Sequence, residues 1–297
     1  MKLNQLHVFK VVAECGSIRA AARRLGVTQP AVTYVVRELE RSLGAELLLR
    51  DSKGATLTAL GVALHQRAVL LLSEMRRAED ELVQLRDGTG GSLCIAFSSG
   101  AAMRVLVPTL NSFRKLRPGV QIELHEITLI DPRMHWQSGR FDFAVISELD
   151  EPIADGMERQ VLFTSPMVVT AREGHPLANA RSLRDLRSSL WLLPGHGLRV
   201  MTGLMQGLGV PPPNDVLLCQ SLQFVLSILR GTDALTLFSS TLHEDPLVSG
   251  GLVRLKVREA LPRLRLSLVA RNVGLLTPAA RLFVQCLTDE TKKSSEK

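Results

Sequence analysis

The segment from Thr58 to Asp87 constrains this chain more than any other, because it carries no proline and, beyond Gly61, no glycine. Wholly helical, it would reach roughly 45 Å. Leu57, Gly61, Leu64, Ala68, Leu71, Met75, Ala78, Leu82 and Leu85 follow one another at alternating spacings of four and three, the pattern of a coiled-coil seam. A lone helix of this length, projecting from a small domain, needs a partner. The spacing therefore predicts dimerisation through Leu64, Leu71, Met75, Ala78, Leu82 and Leu85. The alternative is that the stripe packs on the carboxy-terminal part of its own chain. In either case the helix separates a small leading part from a large trailing one, and Asp87-Gly88-Thr89-Gly90-Gly91 ends it as a flexible joint.

Ahead of that helix, Leu3, Leu6, Val8, Phe9, Val12 and Ala13 recur at helical spacing until Gly16. Ser17 caps a second, short and alanine-rich helix over Ser17 to Leu25, closed by Gly26. Thr28 caps a third, with Pro30 in its first turn, where the missing N–H costs nothing. Its apolar stripe is Ala31, Val32, Val35, Val36, Leu39 and Leu43, while Gln29, Thr33, Tyr34, Arg37 and Arg41 face outward up to Gly44. Two helices joined by the turn Gly26-Val27-Thr28 predict a helix-turn-helix whose second helix enters the major groove of DNA. Glu46 to Thr58 reads as a hairpin, a wing, with Leu47, Leu48 and Leu49 against Ala55, Thr56 and Leu57. Charge agrees: residues 1–56 hold nine Lys and Arg against five Asp and Glu, so they carry more than half of the chain's net +7. Basic charge gathered in a small domain suits a polyanion partner.

Roles follow from residue type. Gln29 can pair bidentately with an adenine edge, Thr33 offers a methyl to thymine and a hydroxyl to either partner, and Pro30 presses apolar surface into the groove. Tyr34 can donate to a phosphate or a base edge, and Arg37 lies on the same outward face. Arg19, Arg23, Arg50 and Lys53, with the helix starts at Ser17 and Thr28, can reach phosphates. For Arg23 and Arg24 the alternative is an ordinary solvated helix face, and for Gln29 and Thr33 a plain helix start.

From Ser92 the pattern alternates. Leu93 to Phe97, Val120 to Ile127, Asp142 to Ile146, Met167 to Thr170, Trp191 to Leu193, Val216 to Cys219, Ala234 to Phe238 and Leu266 to Ala270 read as strands. Ala101 to Leu116 and Leu222 to Leu229 read as helices, so the class is α/β. The expected divisions are a DNA-binding domain over 1–57, a linker and dimerisation helix over 58–88 and an effector-binding domain over 89–297. The polar residues 288–297 are expected to be a flexible tail.

The amino terminus has no secretory pattern and no run reaches the length needed to cross a bilayer, so no membrane partner and a cytoplasmic location are expected. Cys15, Cys94, Cys219 and Cys286 lie tens of residues apart, which fits a reducing compartment and neither a disulfide framework nor a metal site. No G-x-S-x-G elbow, Walker A, G-x-G-x-x-G, H-E-x-x-H or clustered set of metal ligands occurs, and His175, His196 and His243 pair with no nucleophile. The expectation is no enzyme, no catalytic residue, no cofactor and no metal, with a hydrolase built on Ser98 or Ser99 as a remote alternative. A solute-binding receptor would need export and gives residues 1–87 no purpose.

The run Gly16-Ser17, Ala21-Ala22, Leu25, Thr28-Gln29-Pro30-Ala31-Val32-Thr33, Leu39-Glu40, Leu43-Gly44, Leu47, Arg50, Leu57-Thr58 and Gly61 resembles the amino-terminal domain of LysR-type transcriptional regulators. Gly139-Arg140-Phe141-Asp142-Phe143-Ala144-Val145, His175-Pro176-Leu177-Ala178 and Leu276-Thr277-Pro278-Ala279-Ala280 extend the resemblance over the whole chain, less specifically. One departure stands in the wing, where the family's Pro-Leu-Phe is Glu46-Leu47-Leu48 here.

The resemblance implies a winged helix-turn-helix, a linker helix and two Rossmann-like lobes of the type 2 periplasmic-binding-protein kind. Lobe one would span about 90–163 plus 267–289 and lobe two about 164–266, joined by crossing strands. It implies a homotetramer, a dimer of dimers, that binds double-stranded promoter DNA, contacts RNA polymerase as an activator and responds to a small effector, an organic acid or an aromatic. In such sheets ligands sit beyond the carboxyl ends of the strands, near helix starts. That places the effector at Ser98, Ser99, Gly100, Thr128 and Ser147 on one lobe and His196, Gly197 and Ser221 on the other. For each hydroxyl the alternative is a helix cap. A repressor of the same fold, or a regulator without any effector, is the remaining alternative.

Overall fold

The computed structural model describes the chain except residues 52–53, 88–89, 128–139, 150–156 and 296–297, and leaves out the side chains of 50, 51, 87, 195, 196, 294 and 295 as well. Contacts divide it into two compact units, one of Met1–Arg86 with Arg133–Phe141, the other of Asp87–Pro132 and Asp142–Lys297.

In the first unit, α1 (Leu3–Cys15), α2 (Ile18–Leu25) and α3 (Gln29–Leu43) precede the strands β1 (Leu48–Asp51) and β2 (Gly54–Leu57) and the long helix α4 (Ala59–Asp87). Phe9 and Val12 of α1, Ala21 and Ala22 of α2, and Val32, Val36 and Leu39 of α3 form one core, which Leu47, Leu48 and Ala55 of the hairpin close. Alanines on α2 let the flanking helices approach closely. Gly26, at φ 66, returns its N–H to the Ala22 and Arg23 carbonyls and so turns the chain from α2 toward α3. Two stripe positions of α3 differ from expectation. Ala31 and Leu43 are exposed, because they occupy its first and last turns while the core contacts come from the turns between.

The start of α4 is locked to the hairpin. Thr58 donates its N–H to Leu47 O (3.0 Å) and its hydroxyl to Glu46 O (2.8 Å), and Thr58 Oγ1 accepts the Gly61 N–H (2.9 Å). A Cβ at Gly61 would collide with the carbonyl of Leu47. Leu64 packs against the helical core of its own unit and Ala68 is buried. The continuous seam expected from Leu57 is therefore divided, with its first turns spent inside this unit, whereas Leu71, Met75, Ala78, Leu82 and Leu85 are exposed.

The second unit is built on one sheet in the order β4-β3-β5-β11-β6-β9-β7-β8, with β10 added to β6. The strands are β3 (Ser92–Phe97), β4 (Gln121–Glu126), β5 (Phe143–Glu148), β6 (Glu158–Arg172), β7 (Leu190–Leu193), β8 (Asp215–Leu218), β9 (Leu235–Ser239), β10 (Leu252–Leu255) and β11 (Arg263–Ala270). β6 joins two halves: Glu158 to Pro166 pair with β11, and Met167 to Thr170 pair with β9. Lobe one thus holds β3, β4, β5 and β11 around Ile95, Phe97, Phe113, Phe143, Leu268 and Phe283. Lobe two holds β7 to β10 with Trp191, Leu193, Met201 and Leu235 on one side and Leu229, Phe238 and Val248 on the other.

The sequence read β6 as Met167 to Thr170 alone. Its first half alternates no apolar residues and becomes strand through pairing, Gln160 with Leu268 and Glu158 with Ala270. The helix Gly195–Gly207, here α6, and strand β10 carried no signal that was read. The helical run 99–116, here α5, continues through π-helical turns at Ala102–Leu106. Leu222–Gly231 is α7, the short helices Ser240–His243 and Pro246–Ser249 are α8 and α9, and Pro278–Ser295 is α10. The tail expected to be flexible over 288–297 is instead helical to Ser295. Thr291 is buried and donates to Thr288 O (2.8 Å), and Glu290 accepts from Ser112 (3.1 Å) and pairs with Lys293 (2.8 Å). Among the described residues no helix is long and apolar enough to cross a membrane.

Candidate nucleic-acid interface and interlobe cleft

Helix α3 is two-faced because its buried residues, Val32, Val36 and Leu39, recur at helical spacing. The opposite face presents Gln29, Pro30, Tyr34 and Arg37, all exposed, with Thr33 half-buried beside them. Tyr34 is 67% exposed. Thr28 Oγ1 accepts the Ala31 N–H at 3.4 Å, so this hydroxyl acts as the helix cap and keeps a hydrogen that it can donate. Arg19 and Arg23 on α2 are exposed as well. Two other cations of the unit are held by carboxylates: Arg24 pairs with Glu14 at 2.9 Å, and Arg41 pairs with Glu38. Arg24 thus follows the solvated-face alternative.

The hairpin is positioned by a residue that sequence reasoning passed over. Glu40 Oε1 accepts the N–H groups of Leu47 (2.9 Å) and Leu48 (3.2 Å), fixing the entry to β1 against α3. At the other strand Ala55 N–H donates to Gly16 O (2.8 Å). Leu48 is buried, so the aliphatic side chain fills the apolar site, and Leu49 projects outward. The Arg50 side chain and Lys53 lie outside the described residues.

In the second unit, a cavity of about 820 Å³ opens between the lobes. Lobe one contributes Phe97, Ser99, Met103, Leu106 and Glu126, and lobe two contributes Ser221, Gln223, Leu226 and Arg230. Its floor is apolar and its rim carries one carboxylate and one guanidinium. The Ser99 hydroxyl donates to the Glu126 carboxylate. Arg230 is held by carbonyls, through Nε to Gly250 O (3.1 Å) and Nη2 to Val248 O (3.2 Å), so its charge is fixed at the rim.

The expected effector residues divide in this geometry. Ser98 and Ser147 come together: Ser98 Oγ accepts the Ser147 N–H (2.9 Å) and lies 3.3 Å from Ser147 Oγ. Ser98 is buried and ties the end of β3 to β5. Gly100 approaches the same point, since a Cβ there would stand 3.4 Å from Ser147 Oγ. Ser99 and Ser221 line the cavity, and Ser221 also caps α7 by accepting the Phe224 N–H (3.4 Å). Gly197 answers to packing, because a Cβ there would meet Pro194 Cδ at 2.9 Å. Thr128 and the His196 side chain lie outside the described residues. Glu126, Gln223 and Arg230 were missed. Glu126 stands one residue before the end of the expected strand Val120 to Ile127, and the rule that ligands sit at strand ends could have singled it out.

Near the crossing strands, Ser165 Oγ and Ser240 Oγ lie 3.0 Å apart, and Thr170 Oγ1 lies 3.2 Å from His243 Nδ1. Burial, more than its charged neighbours, pulls the His243 pKa below its ordinary 6.5. His65 of α4 is lowered too, chiefly by burial.

Comparison with known proteins gives the following. Residues 3–62 match the family described as bacterial regulatory helix-turn-helix protein, lysR family, and residues 86–292 match the LysR substrate binding domain. The HTH-type transcriptional regulator TdcA of Escherichia coli is 26% identical over 288 residues, covering 96% of this chain and 91% of that protein. The HTH-type transcriptional regulator AlsR of Bacillus subtilis is 30% identical over 189 residues, 63% of this chain and 62% of that one. Among solved structures, full-length CbnR complexed with its target DNA superposes with a TM-score of 0.68 at 23% identity, covering 98% of this chain and all (100%) of that one. A full-length OxyR variant from Pseudomonas aeruginosa gives 0.69 at 18% identity, covering 98% and 95%.

Proposed function

Because the chain belongs to the LysR family of bacterial transcriptional regulators, which are not enzymes, we propose that it reads a promoter through α3 and answers to a small effector held between the lobes. The observation that carries the reading is the outer face of α3. Gln29, Pro30, Thr33, Tyr34 and Arg37 stand together on a helix whose other face is anchored in the core. Arg19 and Arg23, with the wing residues Arg50 and Lys53, would supply phosphate contacts that set register and carry no sequence information. The DNA complex of CbnR, a protein of the same fold, supports this placement.

Two copies joined along the exposed part of α4 would present two recognition helices to one face of DNA, about one helical turn apart, so a near-palindromic site is implied. We take the working form to be a dimer of dimers in the cytoplasm, in contact with RNA polymerase. The effector reading rests on the cavity: apolar Phe97, Met103, Leu106 and Leu226 suit an aromatic or aliphatic body, and fixed Arg230 suits a carboxylate. Such an effector acts only through a difference in affinity between two states of the assembly.

The test is capture of host genomic fragments by the purified protein across a salt series, followed by sequencing of what stays bound. Enrichment of a few promoter fragments sharing an inverted repeat is the expected result. Retention of fragments without sequence preference, alike with and without added metabolite extract, would overturn the promoter reading. Transcription from an enriched promoter that is unchanged across metabolite extracts would remove the effector alone.

A further inference from the structure

The parallel pairing of β3 with β4 sets Cys94 opposite Glu123 and Ala96 opposite His125. Neighbours in register share a face of the sheet, so Cys94, Glu123 and His125 point to the same side. Because Ala96 is small, the imidazole of His125 has room to lean back along the strand. The three ligand atoms, a thiol sulfur, a carboxylate oxygen and a ring nitrogen, all lie within 4.8 Å of one another. His125 Nε2 and Glu123 Oε1 are 2.6 Å apart. None of this shows in the sequence, where Cys94 stands far from the other two, and it corrects the expectation that no metal ligands cluster.

We propose that Cys94, Glu123 and His125 form a binding site for a divalent cation of the zinc class. Sulfur and imidazole ligands select zinc or cobalt over magnesium or calcium, which prefer oxygen alone. Three protein ligands leave a fourth position for water, on the side where Glu123 is open to solvent. Tetrahedral bonds of about 2.0–2.3 Å require ligand atoms about 3.3–3.8 Å apart. Glu123 and His125 therefore separate slightly from each other and close on the Cys94 sulfur. Both residues sit on β4, an edge strand with a partner on one side only, and so can adjust, whereas Cys94 is only 2% exposed and stays in place. The cation takes the Nε2 lone pair of a neutral imidazole whose proton sits on Nδ1, and the Cys94 thiol gives its proton to solvent, so loading releases a proton and weakens as pH falls.

The experiment is titration of untagged, metal-stripped full-length protein with Co²⁺, followed by displacement with Zn²⁺. One Co²⁺ per chain is expected, with a thiolate-to-cobalt charge-transfer absorption that Zn²⁺ abolishes. Cys94→Ser should remove that absorption, and His125→Ala should weaken Co²⁺ binding by about tenfold or more. Circular dichroism checks the fold of both variants. If Cys94→Ser does not fold, His125→Ala, on the edge strand, decides. Absence of the absorption at a large excess of Co²⁺ overturns the proposal, as does its persistence in Cys94→Ser or an unchanged affinity in His125→Ala.

Discussion

Gln29 sits at the first position of α3 with its side chain exposed, and Val32, three residues on, is buried. Removing the Gln29 amide therefore leaves the core untouched. Gln29→Ala should cost about 1–3 kcal/mol on the cognate site and little on random DNA, measured by competition binding. An equal loss on both would reassign Gln29 to the helix start. Glu40 makes the opposite case, a residue whose work is internal. Glu40→Ala strands the Leu47 and Leu48 N–H groups and should lower unfolding stability by about 1–3 kcal/mol in chemical denaturation, with Glu40→Gln recovering most of it because an amide oxygen still accepts. His65 and His243 are depressed mainly by burial, so the unfolded chain binds protons that the folded one does not. Stability is then full above the ordinary value of 6.5 and is lost as pH falls below it. The melting temperature should drop between about pH 7 and pH 5, and the His65→Asn, His243→Asn double variant should show a smaller drop. Asn also keeps an acceptor near Thr170.

Helix α4 divides its apolar stripe into a covered part and an exposed one. Gly61 and Leu64 face the domain it leaves, while Leu82 and Leu85 are each 68% exposed. Leu71→Glu with Leu82→Glu should turn the assembly into monomers by sedimentation without loss of the helix-turn-helix fold, since neither residue touches that core. An unchanged oligomer would move the contact elsewhere. This division explains what the sequence could show. Heptad spacing marks an apolar stripe but does not say which neighbour covers each turn, and Leu64 looks like Leu71 until the hairpin is in place. Helices α1 to α3 were legible because their caps, Ser17, Thr28 and the glycines after them, are local signals. Strand β6 was legible only over Met167 to Thr170, because Glu158 to Pro166 owe their conformation to pairing with β11, far along the chain. The cleft followed the same rule. Ser98, Ser99 and Ser221 announce helix starts, whereas Arg230 reaches the rim from the end of α7, where nothing local distinguishes it from a solvated arginine.

As a whole, the molecule joins a helix-turn-helix module of the lysR family to a LysR substrate binding domain. If roughly four basic groups per copy touch phosphate, a dimer makes about eight contacts, and log K against log salt should slope near −7. A slope near zero would refute the groove-and-wing arrangement. The second module carries its own mechanical constraint. β6 is a single strand of 15 residues that belongs to both lobes, and its change of partner falls at Pro166, which has no N–H to lose from either ladder. Such a joint is a torsion spring, not a door hinge. Turning one lobe against the other would wind twist into a strand held by β11 in its first half and by β9 and β10 in its second. A ligand bridging the lobes would be read by how far it winds that spring.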